Sequence, residues 1–205
     1  ICITNPLDVI VMALQKYSGL PKNKVVGMAG ILDSSRFIYF LSQELKIPVN
    51  KIKSFVLGGH GDSMVAMLGS TEIDGRKINE LVNEGKISKD KLDQIVDRTK
   101  KGGAEIVKYL EKGSAFYAPA ASGVEMAECY LNNLKKQLPC AVFLNGEYGV
   151  KNIYAGVPVI IGSKGVEKII EIKLSSDERK NFEKSIDAVK DLFDAATKID
   201  PDLKD

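Results

Sequence analysis

The stretch FVLGGHGDSM, residues 55–64, places the one histidine of the chain among glycines, directly after an apolar run. The apolar run predicts a strand, and the glycines beside His60 allow backbone and ligand to approach the imidazole closely. Histidine is the side chain whose ordinary pKa permits proton exchange near neutral pH. His60 is therefore a candidate for acid–base catalysis, and the alternative is a histidine in a purely structural turn.

Two segments upstream carry further polar candidates. LDSSRF, residues 32–37, opens a segment with helical spacing, and it sets Asp33 and Arg36 three residues apart on nearly the same face. ITNPLD, residues 3–8, ends an apolar run at Asn5, and a helix is expected after the proline. Taken singly, Asp33 is typical of a helix cap, Arg36 of a solvated charge and Asn5 of a turn before proline.

Together these segments resemble, in order and spacing, the lactate/malate dehydrogenase family. The three motifs that carry the resemblance are TNPLD (4–8), LDSSRF (32–37) and GGHGDS (58–63). The segment between the first two, SGLPKNKVVG (18–27), is also similar to the family. Further segments are similar to malate-type members of the lactate-dehydrogenase-like kind, namely GSAFYAPA (113–120), LNGEYGV (144–150) and GVPVIIG (156–162).

The resemblance implies an oxidoreductase that converts (S)-malate to oxaloacetate, a citric acid cycle reaction, by hydride transfer to NAD. His60 and Asp33 are the catalytic pair that it implies. His60 would be the acid and base, and Asp33 would hold its other ring nitrogen and favour the imidazolium. Arg36 would bind the C1 carboxylate of the substrate through two parallel hydrogen bonds, which a lysine does not reproduce.

The resemblance also implies a cofactor contact at the first motif. Ile3, Thr4 and Asn5 would lie against the nicotinamide ribose, and Asn5 would in addition bind the substrate oxygen. Ser114 and Ala115 stand where lactate-type members carry a threonine, which favours malate. Lactate or another 2-hydroxy acid remains the alternative, because the residue that reads the far end of the substrate lies on an earlier loop in the family.

The expected fold is an α/β tail of a Rossmann-type domain, followed by an α+β domain with an antiparallel sheet. Residues 1–28 would end the dinucleotide-binding domain, and residues 29–205 would form the catalytic, substrate-binding domain. No G-x-G-x-x-G occurs in the sequence, although the family carries this loop before the Thr-Asn-Pro motif. We therefore expect a carboxyl-terminal portion of an enzyme that alone does not bind NAD; the alternative function is a catalytically inactive substrate and assembly domain.

Apolar periodicity predicts the individual elements. Helices are expected over 7–17, 32–45 and 122–134, with a long stretch after Ser88 that is interrupted at Gly102-Gly103 and a last helix that opens on a capping box at 175–178. Extended runs are expected at 1–4, 24–28, 51–57, 64–73, 139–144, 157–162 and 166–172. The last three runs are short and separated by turns, which favours antiparallel pairing.

Composition narrows the function classes. The net charge of the 205 residues is +2, and the basic and acidic residues are interspersed, so we expect no nucleic-acid partner. The longest apolar runs are too short to cross a bilayer, so we expect no membrane partner. Cys2, Cys129 and Cys140 are widely spaced without C-x-x-C, which indicates reduced thiols, a cytoplasmic location and no metal site. The family resemblance implies a homodimer or homotetramer.

Two other enzyme classes fit the sequence poorly. A serine hydrolase built on His60, Asp62 and Ser63 would lack the G-x-S-x-G elbow, and adjacent residues point in different directions. A zinc enzyme would need more ligands than one histidine and scattered cysteines supply.

Overall fold

The computed structural model describes residues 1–204. Its helices are α1 (Leu7–Ser18), α2 (Gly30–Leu45), α3 (Ile78–Asn83), α4 (Lys89–Lys100), α5 (Gly102–Leu110), α6 (Tyr117–Leu131) and α7 (Ser176–Ile199). Its strands are β1 (Ile52–Lys53), β2 (Val56–Leu57), β3 (Val65–Ala66), β4 (Glu72–Ile73), β5 (Arg76–Lys77), β6 (Lys136–Asn145), β7 (Lys151–Gly162) and β8 (Gly165–Ile169).

The main sheet is an antiparallel meander in the order β6-β7-β8. Strands β6 and β7 pair from Lys136↔Ile161 to Asn145↔Lys151, with a register shift at the hairpin end. The middle of β6 and nearly all of β7 are buried, because helices and loops cover both faces of the hairpin. The expectation of an antiparallel sheet in this part of the chain is confirmed.

Helix α7 closes the sheet from one side and begins as the sequence predicts. The Ser175 hydroxyl accepts a hydrogen bond from the backbone N–H of Glu178, and the Glu178 carboxylate accepts one from the N–H of Ser175. The apolar face of the helix is buried through Phe182, Ile186 and Val189. The predicted capping box is confirmed. The Ser185 hydroxyl of the same helix accepts the backbone N–H of Gly59, so α7 lies against the loop that carries His60.

The strands expected at 1–4 and 24–28 are reduced to single bridges. Gly27 pairs in parallel with Cys2 and antiparallel with Ala141, so it joins the first segment to β6. Gly58 likewise pairs with Gly156 of β7. A Cβ on Gly156 would lie 2.7 Å from the Gly58 carbonyl oxygen, so glycine at this position permits the close approach that anchors the His60 loop.

The extended runs expected over 51–57 and 64–73 are wrong in detail. The first is two short strands, β1 and β2, and the second is β3, a 3₁₀ turn at Leu68–Ser70 and β4. The buried Thr71 hydroxyl explains the turn, because it donates to the Met67 carbonyl at 2.7 Å and lies 2.7 Å from the Ser54 hydroxyl. A local hydroxyl–carbonyl bond of this kind competes with strand pairing.

The starts of two helices also need correction. Helix α2 begins at Gly30, two residues before the expected start, so Asp33 lies inside its first turn. Helix α6 begins at Tyr117, five residues before the expected 122, with Pro119 in the first turn, where proline costs no hydrogen bond. The expected interruption at Gly102-Gly103 is present, since α4 ends at Lys100 and α5 begins at Gly102.

Candidate active site

Helix α2 and the loop after β2 bring Asp33 and His60 together. The Asp33 Oδ2 atom lies 2.8 Å from His60 Nδ1, and the two side chains are 2% and 13% exposed. Asp33 is not a helix cap, because Ala29 holds that position and makes no side-chain cap. The contact leaves Nε2 as the ring nitrogen available for proton exchange with a ligand.

The His60 pKa is raised above its ordinary value by competing influences. Burial acts to lower the pKa of His60, but the hydrogen bond and charge of Asp33, together with the charge of Asp8, outweigh that effect. The nearby Arg36 cation opposes the increase only weakly. The two carboxylates therefore hold a proton on the imidazole to higher pH than in water.

Arg36 reaches the same carboxylate from one turn further along α2. Its Nη1 lies 3.7 Å from Asp33 Oδ1, and the Arg36 side chain is only 13% exposed. Burial lowers the pKa of Arg36, and the charge of Asp33 opposes that effect. Arg36 is therefore a half-buried cation beside His60 and not a solvated surface charge.

A cavity of about 450 Å³ lies in front of these groups. It is lined by Asn5, Arg36 and His60, and its apolar wall includes Ile3, Met28 and Leu32. Ser114 and Ala115 also line it. Among the residues singled out from the sequence, Thr4 is exposed and outside this lining, and Asp33 stands behind Arg36 and His60.

The sequence did not single out Asp8, which contacts the histidine directly. The backbone N–H of His60 donates a hydrogen bond of 2.8 Å to Asp8 Oδ2, and the Asp8 residue is 4% exposed. Ser185 of α7 accepts the neighbouring N–H of Gly59 at 2.8 Å. The signal in the sequence was an acidic residue in the first turn of α1, among the residues that the helix buries.

Asp8 is an unusual carboxylate. Burial raises its pKa from 3.8 to about 6, and its hydrogen bond from the His60 backbone and the histidine charge only partly offset that burial. Its second oxygen, Oδ1, is buried without a hydrogen-bond partner. His60 thus lies beside two buried carboxylates, from α1 and α2.

The structure bears on the other enzyme classes as well. Within residues 1–204, no group of three His, Cys, Asp or Glu side chains could hold a metal ion. In the same residues, no hydrogen bond joins Ser63 to the His60 ring; the Ser63 hydroxyl instead accepts one from Ser185 at 3.3 Å. Across the described chain, no helix is both long and apolar enough to cross a membrane.

Comparison with known proteins agrees with this geometry. Residues 31–199 match the model of the lactate/malate dehydrogenase, alpha/beta C-terminal domain. The chain belongs to the lactate/malate dehydrogenase family. That family domain includes the helix with Asp33 and Arg36, the His60 loop and the antiparallel sheet, so the expected fold class is confirmed.

The relatives include malate dehydrogenases and lactate dehydrogenases. The malate dehydrogenase of Pelagibacter ubique (strain HTCC1062) is 68% identical over 203 residues, which are 99% of this chain and 63% of the relative. The crystal structure of Cryptosporidium parvum malate dehydrogenase is 44% identical with a TM-score of 0.94, over 96% of this chain and 63% of that one.

A lactate dehydrogenase from Cryptosporidium parvum, solved with lactic acid and nicotinamide adenine dinucleotide, is 45% identical with a TM-score of 0.93. The match covers 95% of this chain and 61% of that one. The chain thus spans somewhat less than two thirds of the length of the relatives that it matches.

Proposed function

We propose that this chain supplies the acid–base and substrate-binding half of an NAD-dependent malate dehydrogenase that oxidises (S)-malate to oxaloacetate in the citric acid cycle. The observation that carries the proposal is the grouping of Asp33, His60 and Arg36 on one side of a single cavity. A base, a carboxylate that holds its tautomer and a cation for the substrate carboxylate are what the protein must provide for this reaction.

The cavity lining fits the proposed cofactor. Ile3, Met28 and Leu32 offer an apolar wall on which a flat nicotinamide ring can lie, while Asn5 and His60 supply polar groups beside it. NAD, when bound, supplies the acceptor for the hydride. We propose that Ile3, Thr4 and Asn5 contact the ribose next to that ring.

His60, Arg36 and Asn5 carry out the steps that NAD does not supply, namely proton transfer and substrate binding. In malate oxidation, neutral His60 accepts the hydroxyl proton at Nε2, and its Nδ1–H stays bonded to Asp33. In the reverse direction, protonated His60 returns that proton to the oxygen. Arg36 holds the C1 carboxylate and thereby orients the carbon that loses its hydride. Asn5 donates a hydrogen bond to the substrate oxygen.

Malate is the proposed substrate, and lactate is the second candidate. The 68% identical relative is named malate dehydrogenase, and the cavity is lined by Ser114 and Ala115 where the lactate-type pattern has threonine. Lactate keeps support from the 45% identical lactate dehydrogenase solved with its substrate. Rates with the two acids on the full-length enzyme distinguish the candidates.

We also propose the domain boundaries, the cellular location and the assembly of the protein. Residues 1–28 form the end of the dinucleotide-binding domain and residues 29–205 the catalytic domain. The protein acts in the cytoplasm, with a small-molecule substrate as partner and as a homodimer or homotetramer. The free, buried state of the three cysteines supports a reducing compartment. Membership of the lactate/malate dehydrogenase family supports the proposed homodimer or homotetramer.

Replacement of the histidine tests the proposal. In the full-length enzyme, His60→Gln should leave NADH binding nearly unchanged and lower malate oxidation about 10²–10⁴-fold, the typical contribution of general acid–base catalysis. Ser63→Ala is the matched control on the same loop and should retain most activity. The proposal would be contradicted if His60→Gln turned over malate as fast as the wild type. It would also be contradicted if Ser63→Ala lost activity while His60→Gln kept it.

A further inference from the structure

The backbone of the His60 loop is held by side chains from two separate helices. Asp8 of α1 accepts the N–H of His60 at 2.8 Å, and Ser185 of α7 accepts the N–H of Gly59 at 2.8 Å. Gly58 exchanges backbone hydrogen bonds of 2.8 and 2.9 Å with Gly156 of β7. Three successive residues of the loop are thus fixed by elements outside it.

Asp8 differs from the other two anchors because it is charged when ionised. A serine hydroxyl or a backbone carbonyl would satisfy the same N–H without placing a carboxylate in the interior. Burial of a carboxylate with one oxygen unpartnered costs free energy unless a positive charge lies nearby. Asp8 contacts the main chain of His60 at 2.8 Å, and the imidazole of that residue becomes positive during the proposed reaction, so the charge of Asp8 acts on it.

We propose that Asp8 is a positioning residue for His60, one that fixes the histidine backbone and stabilises the imidazolium jointly with Asp33. This inference rests on the proposed role of His60 as acid and base. Asp33 holds the ring from α2, and Asp8 holds the main chain from α1, so the two carboxylates constrain the same residue at two places.

The other charged groups around the imidazole do not duplicate this arrangement. Helix α2 contributes Arg36, whose charge opposes protonation. Helix α4 contributes Lys100 and the loop itself contributes Asp62; both line the cavity. Helix α7 presents the neutral hydroxyl of Ser185. Among the carboxylates of residues 1–204, Asp8 and Asp33 are the two whose charges raise the His60 pKa.

The test separates hydrogen bonding from charge. Asp8→Asn keeps an oxygen that can accept the His60 N–H but removes the charge, and Asp8→Ala removes both. Ser185→Ala is the matched control, since it deletes a neutral side-chain acceptor from the neighbouring N–H. The imidazole pKa is read by NMR in full-length protein with labelled histidine, and the His60 signal is assigned by its loss in His60→Gln.

Asp8→Asn should lower the His60 pKa by about half a unit or more, a roughly threefold change in the protonation equilibrium. The high-pH limb of oxaloacetate reduction should move down by the same amount. Ser185→Ala should leave the His60 pKa where it is. Asp8→Ala should show the same pKa decrease and a lower kcat than Asp8→Asn, because the loop also loses its anchor.

An unchanged His60 pKa in Asp8→Asn would overturn the proposed effect of charge. Equal kcat values for Asp8→Ala and wild type would overturn the positioning role. If Asp8→Ala does not fold, the comparison of Asp8→Asn with Ser185→Ala still decides the effect of the Asp8 charge. The NMR measurement needs no turnover. A failure of this inference is therefore distinguishable from a failure of the proposed function, which the His60→Gln activity tests.

Discussion

At the scale of single residues, Asp33 is the side chain that contacts both His60 and Arg36. Its Oδ2 contacts His60 at 2.8 Å and its Oδ1 lies 3.7 Å from Arg36. With 2% of its side chain exposed, it is screened little by solvent, so its charge acts strongly on both neighbours. Removal of that charge should therefore alter the pH dependence of the reaction before it alters the fold.

Asp33→Asn should shift the activity profile in a defined direction. Burial lowers the His60 pKa, and the hydrogen bond and charge of Asp33, together with the charge of Asp8, outweigh it; without the Asp33 charge, the variant histidine should lose its proton at lower pH. In the proposed mechanism oxaloacetate reduction needs protonated His60, so the high-pH limb of its rate profile should move to lower pH. The measurement is kcat/KM against pH, with Glu44→Gln on the exposed side of α2 as control. An unshifted profile would mean that Asp33 has only a structural role.

Arg36→Lys should weaken the binding of every 2-hydroxy acid alike. Lysine keeps the charge but cannot make two parallel hydrogen bonds to one carboxylate. Hydrogen bonds to charged groups contribute about 1.5–3 kcal/mol, so KM should rise roughly 10- to 100-fold for malate and lactate. A rise confined to dicarboxylic substrates would instead place Arg36 at the far end of the substrate.

At the scale of elements, the break between α4 and α5 also provides space for Arg36. A Cβ on Gly102 would lie 3.0 Å from Arg36 Cδ and 3.4 Å from its Nε, whereas one on Gly103 would lie 4.0 Å from Arg36 Nη1. The sequence pattern predicts only a helix interruption at Gly102-Gly103. The structure adds that the first of them, Gly102, lies against the aliphatic stem of Arg36, the residue proposed to bind the substrate carboxylate.

Gly102→Ala should therefore displace Arg36, and Gly103→Ala should not. Both changes favour helix formation, so neither should lower the melting temperature by an effect on helix propensity. We expect KM for malate to rise roughly three- to tenfold in Gly102→Ala only, since small misplacements of an orienting group are costly. Equal KM values in the two variants would show that the contact with Arg36 has no catalytic consequence.

The elements with strong periodicity or capping chemistry were predictable. Helix α1, the capped start of α7 and the antiparallel run of β6, β7 and β8 follow from apolar spacing and turn residues. The hairpin between β4 and β5 was missed, although Asp74 and Gly75 both take positive φ and a D-G pair is a hairpin signal. Strands of two residues are too short to show an alternation that sequence reasoning can detect.

The site was predictable where motif and spacing agreed. The pairing of Asp33 with His60 was implied by family resemblance, and 27 residues separate them along the chain. The contact from Asp8 was not predictable, because its partner is a backbone N–H and leaves no residue signature in the sequence. The space for Arg36 at Gly102 is likewise a tertiary contact between α2 and the start of α5.

At the scale of the whole molecule, Asp8 should cost stability at neutral pH. The pKa of Asp8 is about 6 in the folded protein, above the value of 3.8 in an unfolded chain. Between these two pH values, Asp8 ionises in the unfolded chain more readily than in the folded one. At about 1.4 kcal/mol per pKa unit, the folded state loses about 3 kcal/mol of unfolding free energy as pH rises from below 4 to above 6.

Asp8→Asn should remove that loss. The variant should gain stability relative to wild type as pH rises from 4 to 7, by up to about 3 kcal/mol. Chemical denaturation of both proteins across this pH range measures the difference. A stability difference that does not vary with pH would contradict the raised pKa of Asp8. The expected combination, a more stable protein with a weaker acid–base catalyst, is a trade-off between stability and activity.

The anchors of the His60 loop also bear on how the molecule folds. The side chains that hold Gly59 and His60 come from positions 126 and 52 residues away along the chain. Closure of such long loops is entropically costly, and contacts of high sequence separation slow folding. Helices and the β6-β7 hairpin can form from neighbouring residues, but the environment of the histidine requires both ends of the chain in place. In the full-length enzyme, recovery of activity after refolding should therefore lag behind recovery of the helical circular-dichroism signal.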